Sequence, residues 1–518
     1  MEKFGKKIVS ADQFINIREE LKKQRKIIVM CHGVYDLFHY GHLKHLEDAK
    51  NQGDVLVVSV TSAQYVNKGP DRPYYNDQQR LEMLENLEVV DYVILSEEPT
   101  AKTNINAVRP DIFVKGQEFQ SGDDGMTGNV KSEIEEVERL GGKVYFSQGE
   151  VHSSSKLLNN YFSALPDEVL SVAKELKQKY GSNCINQIEE YVHSFKDLKV
   201  LVVGDVIIDE YVFCKAQGLT SKDTVISTLY EGKECYLGGS LAIARHIANF
   251  TQNVTLFSMI GPEDEYTQYI KRELSAGIKQ VLVSDENYVT PLKRRFLKKH
   301  PQRDEYDKLF SFNILLHEQD KDKIDYEGAC KKLKELLPMF DLIVVCDYGH
   351  GLINEDMQYI IEQESKLLSV NCQTNSSNFG TNLITKYHRA DTFALDEREI
   401  KLAYGQSSIN SWTLLERLIE QLGANSGWLT LGANGAVAMD NEGEFSKIPA
   451  LTLHVKDTVG AGDAFFAIAS LCAAKSVPKD LATLMSNGAG AIKTHMVGNS
   501  GAVEKKDLLK FMNTVLNV

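Results

Sequence analysis

Apolar residues in the first third of the chain alternate between short continuous runs and helix-spaced positions. The runs predict buried strands at residues 26–31, 54–60, 89–95 and 111–114. After the first run, Leu43, Leu46 and Ala49 recur at helical spacing, which predicts a helix over residues 41–52. Because strands alternate with helices, this part of the chain is predicted to be an α/β domain with a parallel sheet.

A second series of the same kind follows a polar, helix-prone stretch. Its apolar runs predict strands at residues 198–203, 254–259, 342–345 and 428–431. Residues 211–236 have the pattern of extended strands rather than of a helix. We therefore expect one α/β domain over residues 1–162, a helical linker over 163–196 and a second α/β domain over 197–518.

The composition of the chain mainly excludes certain classes of partner and site. Of 518 residues, 43% are hydrophobic and 25% are charged, which is typical of a globular protein. The net charge of −14 argues against a broad nucleic-acid surface, and no apolar run is long enough for a membrane span, so neither partner is expected. Eight cysteines without a CxxC pair predict reduced thiols in a cytoplasmic protein, with no zinc site and no disulfide framework.

Two histidines lie at the predicted turn from the first strand to the first helix, in the stretch Gly33–His42 (GVYDLFHYGH). A helix N-terminus exposes backbone N–H groups and the positive end of the helix dipole, which suits a polyphosphate. Gly41 lets the backbone approach such a ligand closely. His39 and His42 would then donate hydrogen bonds to an α-phosphate and act as catalytic residues. The alternative is that both histidines are merely solvated or packed.

This stretch resembles the GxFD…HxGH signature of the nucleotidyltransferase superfamily that includes the cytidylyltransferases. Further stretches resemble the adenylyltransferase half of the bifunctional heptose kinase/adenylyltransferases, at residues 7–10, 68–73, 79–80, 90–93 and 109–116. The resemblance implies a Rossmann-like HxGH nucleotidyltransferase domain. It implies nucleotide or phosphate contacts for Gly33, Asp36, Gly41, Lys44, Lys68, Arg80, Ser153, Ser154 and Ser155. The three serines suit a helix cap equally well.

The nucleotide is left open by departures from that pattern. His32-Gly33-Val34-Tyr35-Asp36 stands where the heptose enzymes usually carry Asn-Gly-Cys-Phe-Asp. The motif also looks like that of the choline- and ethanolamine-phosphate cytidylyltransferases, but their RTEG element is not visible. Either ATP or CTP is therefore possible as the nucleotidyl donor.

A second glycine-rich motif, Asp457–Phe465 (DTVGAGDAF), precedes a predicted alanine-rich helix over residues 465–474. Glycines before a helix provide converging N–H groups, which form an anion hole for a phosphoryl group in transfer. Asp463 lies at the helix start, where a carboxylate can accept the proton of an attacking sugar hydroxyl. The alternative is a glycine turn followed by an ordinary helix cap.

This motif resembles the signature of the ribokinase-like sugar kinases and implies a ribokinase-like α/β domain with a β lid. The resemblance implies that Asp463 is the catalytic base and that Mg²⁺ binds with ATP near Glu399 and Asp396. Implied sugar-binding residues are Asp209, Gly238 and Gly239, and implied phosphate or nucleotide contacts are Thr430, Gly432, Gly435, Gly460, Ala461 and Gly462. Ala242 replaces an Asn that usually touches the sugar, and Asp396 replaces an Asn of the N-x-x-E element.

Three consecutive cations, Lys293, Arg294 and Arg295, lie in an extended stretch of the same half. They suit either a phosphate already present on the sugar or a solvated edge strand. Because ribokinase-like kinases often pair through their lid strands, the resemblance also implies a homodimer or a larger homo-oligomer.

Together the two resemblances imply a bifunctional enzyme of nucleotide-activated sugar synthesis. One half would be an ATP-dependent kinase for a heptose-like sugar or sugar phosphate, and the other a sugar-1-phosphate nucleotidyltransferase that releases pyrophosphate. The order of the halves is reversed relative to the heptose enzyme. Two alternatives remain: a polyol-phosphate cytidylyltransferase with a polyol kinase, and a transferase with an inactive, sugar-sensing kinase-like domain.

Overall fold

The computed structural model describes most of the chain and divides it into two compact units, Met1–Ala164 with Asn517–Val518, and Leu165–Leu516. The described residues are 7–66, 73–116, 128–147, 165–181, 183–220, 223–274, 277–299, 306–375, 377–406, 408–452 and 455–517. Within them, no helix is long and apolar enough to cross a membrane.

The first unit contains a five-stranded, fully parallel sheet. Its strands are β1 (Ile28–Gly33), β2 (Val55–Thr61), β3 (Tyr92–Ser96), β4 (Ile112–Lys115) and β5 (Lys143–Phe146). The strand order β3-β2-β1-β4-β5 reverses direction between β1 and β4. In an open parallel sheet, this reversal leaves a crevice at the carboxyl ends of the two strands, where ligands bind.

Helices cover both faces of this sheet: α1 (Ala11–Lys23), α2 (Tyr40–Lys50), α3 (Asp77–Glu85), α4 (Lys102–Val108) and α5 (Gly128–Arg139). The strands are continuous apolar runs because both of their faces are buried. In β1, Val29 and Cys31 join the core cluster with α2 and α3, while Ile28 and Met30 join the cluster with α1, α4 and α5.

The second unit contains a larger sheet of nine strands: β6 (Lys199–Gly204), β9 (Asn253–Ile260), β10 (Ile278–Ser284), β13 (Leu342–Asp347), β14 (Leu368–Cys372), β15 (Thr392–Asp396), β16 (Ser426–Thr430), β17 (Ala436–Asp440) and β18 (Phe445–Ile448). Their order is β10-β9-β6-β13-β14-β15-β16-β17-β18, and all neighbours pair parallel except β16 with β17 and β17 with β18. The strand order reverses between β6 and β13, which places a second crevice there.

A separate four-stranded sheet forms the lid expected from the resemblance. Its order is β12-β11-β7-β8, with strands β7 (Val206–Leu219), β8 (Ile226–Gly239), β11 (Leu292–Lys299) and β12 (Tyr306–Ile314). The extended pattern predicted for residues 211–236 corresponds to β7 and β8, which pair antiparallel. The predicted fold class, with two α/β folds of which the second carries a β lid, is therefore confirmed.

The stretch predicted to be a helical linker consists of two helices, and both cluster with the second unit. It forms α6 (Asp167–Tyr180) and α7 (Cys184–Ser194), which pack on the last helix of the second unit, α16 (Lys505–Leu516). The other helices of this unit are α8 (Ser240–Ala248), α9 (Glu265–Glu273), α10 (Glu327–Leu336), α11 (Glu355–Glu364), α12 (Glu397–Ala403), α13 (Ser411–Leu422), α14 (Ala461–Ala474) and α15 (Lys479–Lys493).

Close packing between strands and helices makes one glycine of the large sheet a test of this fold. A methyl group on Gly427 in β16 would lie 2.7 Å from Phe393 Cε2 and 2.9 Å from Leu415 Cδ1. We expect Gly427→Ala to lower the free energy of unfolding of the second unit by about 1–3 kcal/mol, because overpacking forces neighbouring side chains to shift.

Gly328→Ala is the matched control, since its added methyl group meets nothing within 4 Å on α10. Chemical denaturation should show no loss for this control, because Ala favours the helix. Equal stabilities of the two variants would contradict the packing described for β16.

Candidate active sites

The loop that follows β1 holds the first site in a strained backbone conformation. Tyr35 and Leu37 have positive φ values of 49° and 48°, which non-glycine residues rarely adopt. Between them, the buried carboxylate of Asp36 accepts the N–H groups of Tyr74 at 2.9 Å and Tyr75 at 3.2 Å. Asp36, which the resemblance assigned to nucleotide binding, therefore also anchors this loop to the entry of α3.

The two histidines of the first motif stack on each other at the start of α2. Their ring centroids are 4.1 Å apart with an interplanar angle of 24°. His39 is the N-cap residue, and its Nδ1 accepts the N–H of Gly41 at 3.0 Å. Because Nδ1 is the acceptor, the neutral imidazole carries its proton on Nε2 and presents a donor there. The structure thus places both rings at a helix N-terminus in the crevice beside β1.

Arg80 differs from the sequence expectation of a contact with triphosphate. Its guanidinium is fully buried, donates to the carbonyl oxygens of Val34 at 2.7 Å and Thr61 at 2.8 Å, and pairs with Asp77 at 2.5 Å. Arg80 therefore links the strained loop, β2 and α3, instead of facing a ligand. The cause is the short distance between the three elements, which the spacing of residues along the chain does not reveal.

The structure describes only one of the other lysines and serines that the first resemblance assigns to phosphate binding. Lys44 is half-exposed and pairs with Glu47 at 2.6 Å on the same helix. Lys68 and the three serines Ser153, Ser154 and Ser155 lie outside the described residues.

A buried polar cluster behind β1 was not foreseen from the sequence. His32 Nδ1 lies 2.9 Å from Ser59 Oγ, and its Nε2 lies 3.9 Å from the carboxylate of Glu133. Glu133 also pairs with Lys115 at 2.7 Å, and both side chains are buried. Desolvation and the charge of Lys115 lower the pKa of His32 to about 4, so that this imidazole is neutral. His32, the departure from the heptose-enzyme pattern, is therefore a fixed neutral group at the carboxyl end of β1.

The second site forms around the glycine turn before α14. This helix begins at Ala461, four residues earlier than predicted, so that Asp463 lies in its first turn. Gly460, the N-cap residue, has a φ of +79°, which a side chain would strain. A helix N-terminus leaves backbone N–H groups without partners inside the helix, and at α14 the N–H of Ala461 donates to the Thr458 carbonyl oxygen at 3.3 Å.

Asp463 is linked to the loop that follows β13. The Tyr348 hydroxyl, on a side chain that is itself buried, donates to Asp463 Oδ1 at 2.9 Å. Burial raises the pKa of Asp463 to about 6, opposed by the hydrogen bond from Tyr348, and the pKa of Tyr348 is itself raised well above its usual value by burial. Tyr348 thus remains a proton donor at neutral pH. This residue could not be predicted from a local pattern, because it lies 115 positions from Asp463 in the chain.

The loop carrying Tyr348 is held by the buried carboxylate of Asp205, at the end of β6. Asp205 accepts three backbone N–H groups, from Tyr348 at 3.1 Å, His350 at 3.2 Å and Leu352 at 3.1 Å. Burial and the neighbouring charge of Asp347 raise the pKa of Asp205 to about 6. This interaction joins β6 to β13 at the point where the strand order of the sheet reverses.

Asp209, the expected sugar-binding aspartate, lies in β7 of the lid. It pairs with Arg295 at 2.5 Å and accepts the amide of Asn499 at 3.1 Å. A methyl group on Gly238 would collide with Asp209 Oδ2, which explains the glycine at that position of β8. Asn499 Oδ1 is buried and has no hydrogen-bond partner among the described residues. Asn499 could not be predicted from the sequence, because it lies 290 positions from Asp209 in the chain.

The three consecutive cations of β11 have different partners. Arg295 is engaged with Asp209, and Arg294 forms an ion pair with Glu210. Lys293 has no hydrogen-bond or ion-pair partner among the described residues, and its Nζ lies 6.0 Å from the centre of the Tyr348 ring. Burial lowers the pKa of Lys293, while the carboxylates of Asp209 and Asp463 oppose this effect. Only Lys293 is therefore left to meet an external anion.

Asp396 and Glu399 form a capping box at the start of α12. Asp396 Oδ1 accepts the Glu399 N–H at 2.7 Å, and Glu399 Oε2 accepts the Asp396 N–H at 2.9 Å. Burial beside Asp396 raises the pKa of Glu399 to about 8, a cost that a divalent cation would offset. Carboxylate oxygens are the ligands that Mg²⁺ prefers, so the pair fits such an ion. No cluster of three metal-binding side chains occurs within the described ranges.

Two glycines that the resemblance assigns to nucleotide or phosphate binding follow β16 in the chain. Gly432 and Gly435 have φ values of +58° and +86°, and a methyl group on Gly435 would meet the backbone of residues 448–450. Thr430 ends β16, and its hydroxyl donates to the Leu395 carbonyl oxygen at 3.4 Å.

Comparison with protein families assigns each unit independently. The cytidylyltransferase-like family matches residues 30–160, and the pfkB family of carbohydrate kinases matches residues 197–505. The second match covers more than half of the chain.

Curated relatives match the N-terminal part of the chain. The bifunctional protein HldE of Nitratiruptor sp. is 40% identical over 129 residues, which are 24% of this chain and 28% of that protein. HldE of Methylobacillus flagellatus is 38% identical over 140 residues, 27% of either chain. The chain thus aligns with little more than a quarter of the length of these relatives. Among solved structures, Arabidopsis thaliana ribokinase complexed with ribose and ATP is 13% identical, with a TM-score of 0.47, over 61% of this chain and 98% of that one.

The position of Arg80 leads to a test of its role. Arg80→Lys should lower the free energy of unfolding of the first unit by about 3 kcal/mol or more, because several charge-assisted hydrogen bonds to buried groups are lost. Lys44→Ala, which removes a half-exposed cation, should change it by less than about 1 kcal/mol. Thermal unfolding of the two variants measures both values. A normal stability of Arg80→Lys would contradict the position assigned to Arg80.

Proposed function

The chain belongs to the pfkB family of carbohydrate kinases, and we propose that it combines sugar phosphorylation with nucleotidyl transfer to a sugar phosphate. Its cytidylyltransferase-like first unit would carry the second activity. The observation that carries the proposal is Asp463, held by Tyr348 at the N-terminus of α14 beside the glycine turn. The product would be a nucleotide-activated sugar, with heptose-like sugars as the leading substrate class.

In the kinase reaction, Asp463 accepts the proton of an acceptor hydroxyl while the hydroxyl oxygen attacks the γ-phosphorus of ATP. The bond from that phosphorus to the bridging oxygen breaks, and ADP leaves. The N–H groups of Gly460 and Gly462 stabilise the negative charge on the phosphoryl oxygens, while the N–H of Ala461 donates to the Thr458 carbonyl oxygen at 3.3 Å. Mg²⁺ bound with ATP would neutralise phosphate charge, with Glu399 and Asp396 on the protein side.

The acceptor sugar would lie under the lid, against Asp209, Gly238 and Gly239. Asn499 supports this placement, since its buried Oδ1 is available to a sugar hydroxyl and its amide group offers the chemistry that Ala242 lacks. Lys293 has no hydrogen-bond or ion-pair partner among the described residues and would neutralise an anion of the acceptor or of the transferred phosphoryl group. Both a sugar phosphate and a neutral sugar are therefore candidate acceptors.

In the transferase reaction, a phosphate oxygen of a sugar 1-phosphate attacks the α-phosphorus of a nucleoside triphosphate, and pyrophosphate leaves. His39 and His42 donate hydrogen bonds to the phosphate oxygens as their charge grows, and the start of α2 contributes its backbone N–H groups. Adenylyl and cytidylyl transfer are both compatible with this geometry. We further propose that the enzyme is cytoplasmic and assembles as a homodimer or larger homo-oligomer through lid strands.

The two activities should be separable by single substitutions. Asp463→Asn should abolish ATP-dependent phosphorylation of the acceptor and leave pyrophosphate release intact, because only the kinase base is lost. His42→Ala should do the reverse. Parallel assays of ADP and pyrophosphate formation measure both. If the wild-type protein released pyrophosphate but formed no ADP, and Asp463→Asn changed neither result, the second unit would be an inactive, sugar-sensing domain.

The pH dependence of phosphorylation should follow Asp463. The base acts when deprotonated, so kcat/KM should fall as the pH drops through about 6, the value to which burial raises the pKa of Asp463. Tyr348→Phe removes a hydrogen bond that stabilises the charged carboxylate, so the acid limb should move to higher pH. Initial rates between about pH 5 and 9 would show the shift, on either side of the expected pKa. An unchanged acid limb in Tyr348→Phe would contradict the role of this hydrogen bond.

A further inference from the structure

Lys493 is a fully buried lysine at the C-terminal end of α15, and the mechanism above does not use it. Its Nζ donates to two carbonyl oxygens, those of Val459 at 3.2 Å and of Gly498. Nζ also lies 3.4 Å from the position that a Cβ on Gly460 would occupy. The ammonium group is therefore in contact with the backbone of the glycine turn before α14.

A carboxylate holds the same two residues from their N–H groups. Asp457 Oδ1 accepts the N–H of Val459 at 3.0 Å, and Asp457 Oδ2 accepts the N–H of Gly498 at 2.7 Å. Lys493 and Asp457 thus bind opposite polar groups of Val459 and Gly498. Together they fix both the N–H group and the carbonyl group of Val459, the residue that precedes Gly460.

Peptide geometry connects these contacts of Val459 to the anion hole. The C=O of Val459 and the N–H of Gly460 belong to one planar trans peptide and point in opposite directions. With the carbonyl group turned towards Lys493, the N–H of Gly460 is turned away from Lys493. Fixing the carbonyl group therefore also fixes the direction of this N–H.

The charge of Lys493 is costly to bury, but its ammonium group satisfies two backbone carbonyl oxygens that an apolar residue would leave without a donor. Burial lowers the pKa of Lys493, and the carboxylates of Asp457 and Asp463 oppose this effect. The ammonium group thus belongs to the same charged environment as the proposed base.

We propose that Lys493 is a positioning residue of the kinase site, a built-in cation that orients the glycine turn and adds a fixed positive charge beside the anion hole. This inference rests on the proposed kinase function. The carbonyl oxygens around Nζ form a cation site, so removing the side chain leaves space and ligands suited to a small monovalent cation such as ammonium or methylammonium.

Two substitutions at position 493 separate charge from packing. Lys493→Met keeps most of the hydrocarbon volume without the charge, and Lys493→Ala also opens a cavity. Each should lower kcat for sugar phosphorylation by about 100-fold, the scale expected when transition-state donors are misaligned, while the acceptor KM changes by less than about 3-fold. Lys510→Ala, which removes an exposed lysine of α16, should match the wild type.

Chemical rescue distinguishes a charge role from a general structural role. Ammonium or methylammonium chloride should restore the activity of Lys493→Ala by about 10-fold or more, since a cation can enter the opened site, with sodium chloride at equal ionic strength as the salt control. Lys493→Met, whose side chain fills the site, and the wild type should not respond.

Several results would overturn the proposal. The first is a kcat of Lys493→Met within about 3-fold of the wild-type value. The second is an acceptor KM that changes by as large a factor as kcat does. The third is a loss of activity in Lys493→Ala that neither ammonium nor methylammonium restores. If thermal unfolding shows that Lys493→Ala is not folded, the kcat and KM of Lys493→Met decide. A wild-type protein that forms neither ADP nor a phosphorylated acceptor would refute the kinase function itself, whereas an inactive Asp463→Asn with an active Lys493→Met would refute only this inference.

Discussion

The carboxylate of Asp205 holds the second unit's site together. It lies at the end of β6 and accepts three backbone N–H groups of the loop that follows β13, and so joins the two strands at which the sheet reverses its order. Each of these buried N–H groups would cost about 1–3 kcal/mol without a partner. With the loop fixed, Tyr348 meets Asp463. The position of the proposed base therefore follows from a backbone interaction that is distant from it in the sequence.

The two units share one structural feature and stabilise it with different residues. Each presents backbone N–H groups at a helix N-terminus next to the crevice of a parallel sheet, where a polyphosphate can bind. The first unit uses a strained loop with Tyr35 and Leu37 in the left-handed region, anchored by Asp36 and Arg80. The second uses glycines, and it holds them with Asp457 and Lys493. Buried charges serve as supports for the backbone in both units.

The sequence was most informative where chemistry depends on neighbouring residues. Glycines before a helix, the paired histidines and Asp463 are local patterns, since helix N-termini and turns are set by a few consecutive positions. Alternating apolar runs likewise predicted the parallel sheets and the extended lid strands. Tyr348, Asn499 and Lys493 were not predictable, because their roles arise from contacts with residues far along the chain. Arg80 shows the opposite case. The sequence pattern assigns this cation to phosphate binding, but in the structure it donates hydrogen bonds to backbone carbonyl oxygens inside the fold.

The most direct test of the account is to identify the products of the wild-type protein by mass spectrometry. The protein would be incubated with MgATP, with or without CTP, and a panel of sugars, sugar phosphates and sugar 1-phosphates. The account predicts ADP together with a phosphorylated acceptor, and pyrophosphate together with a nucleotide-linked sugar. Absence of both products for every sugar and sugar phosphate in the panel would contradict it.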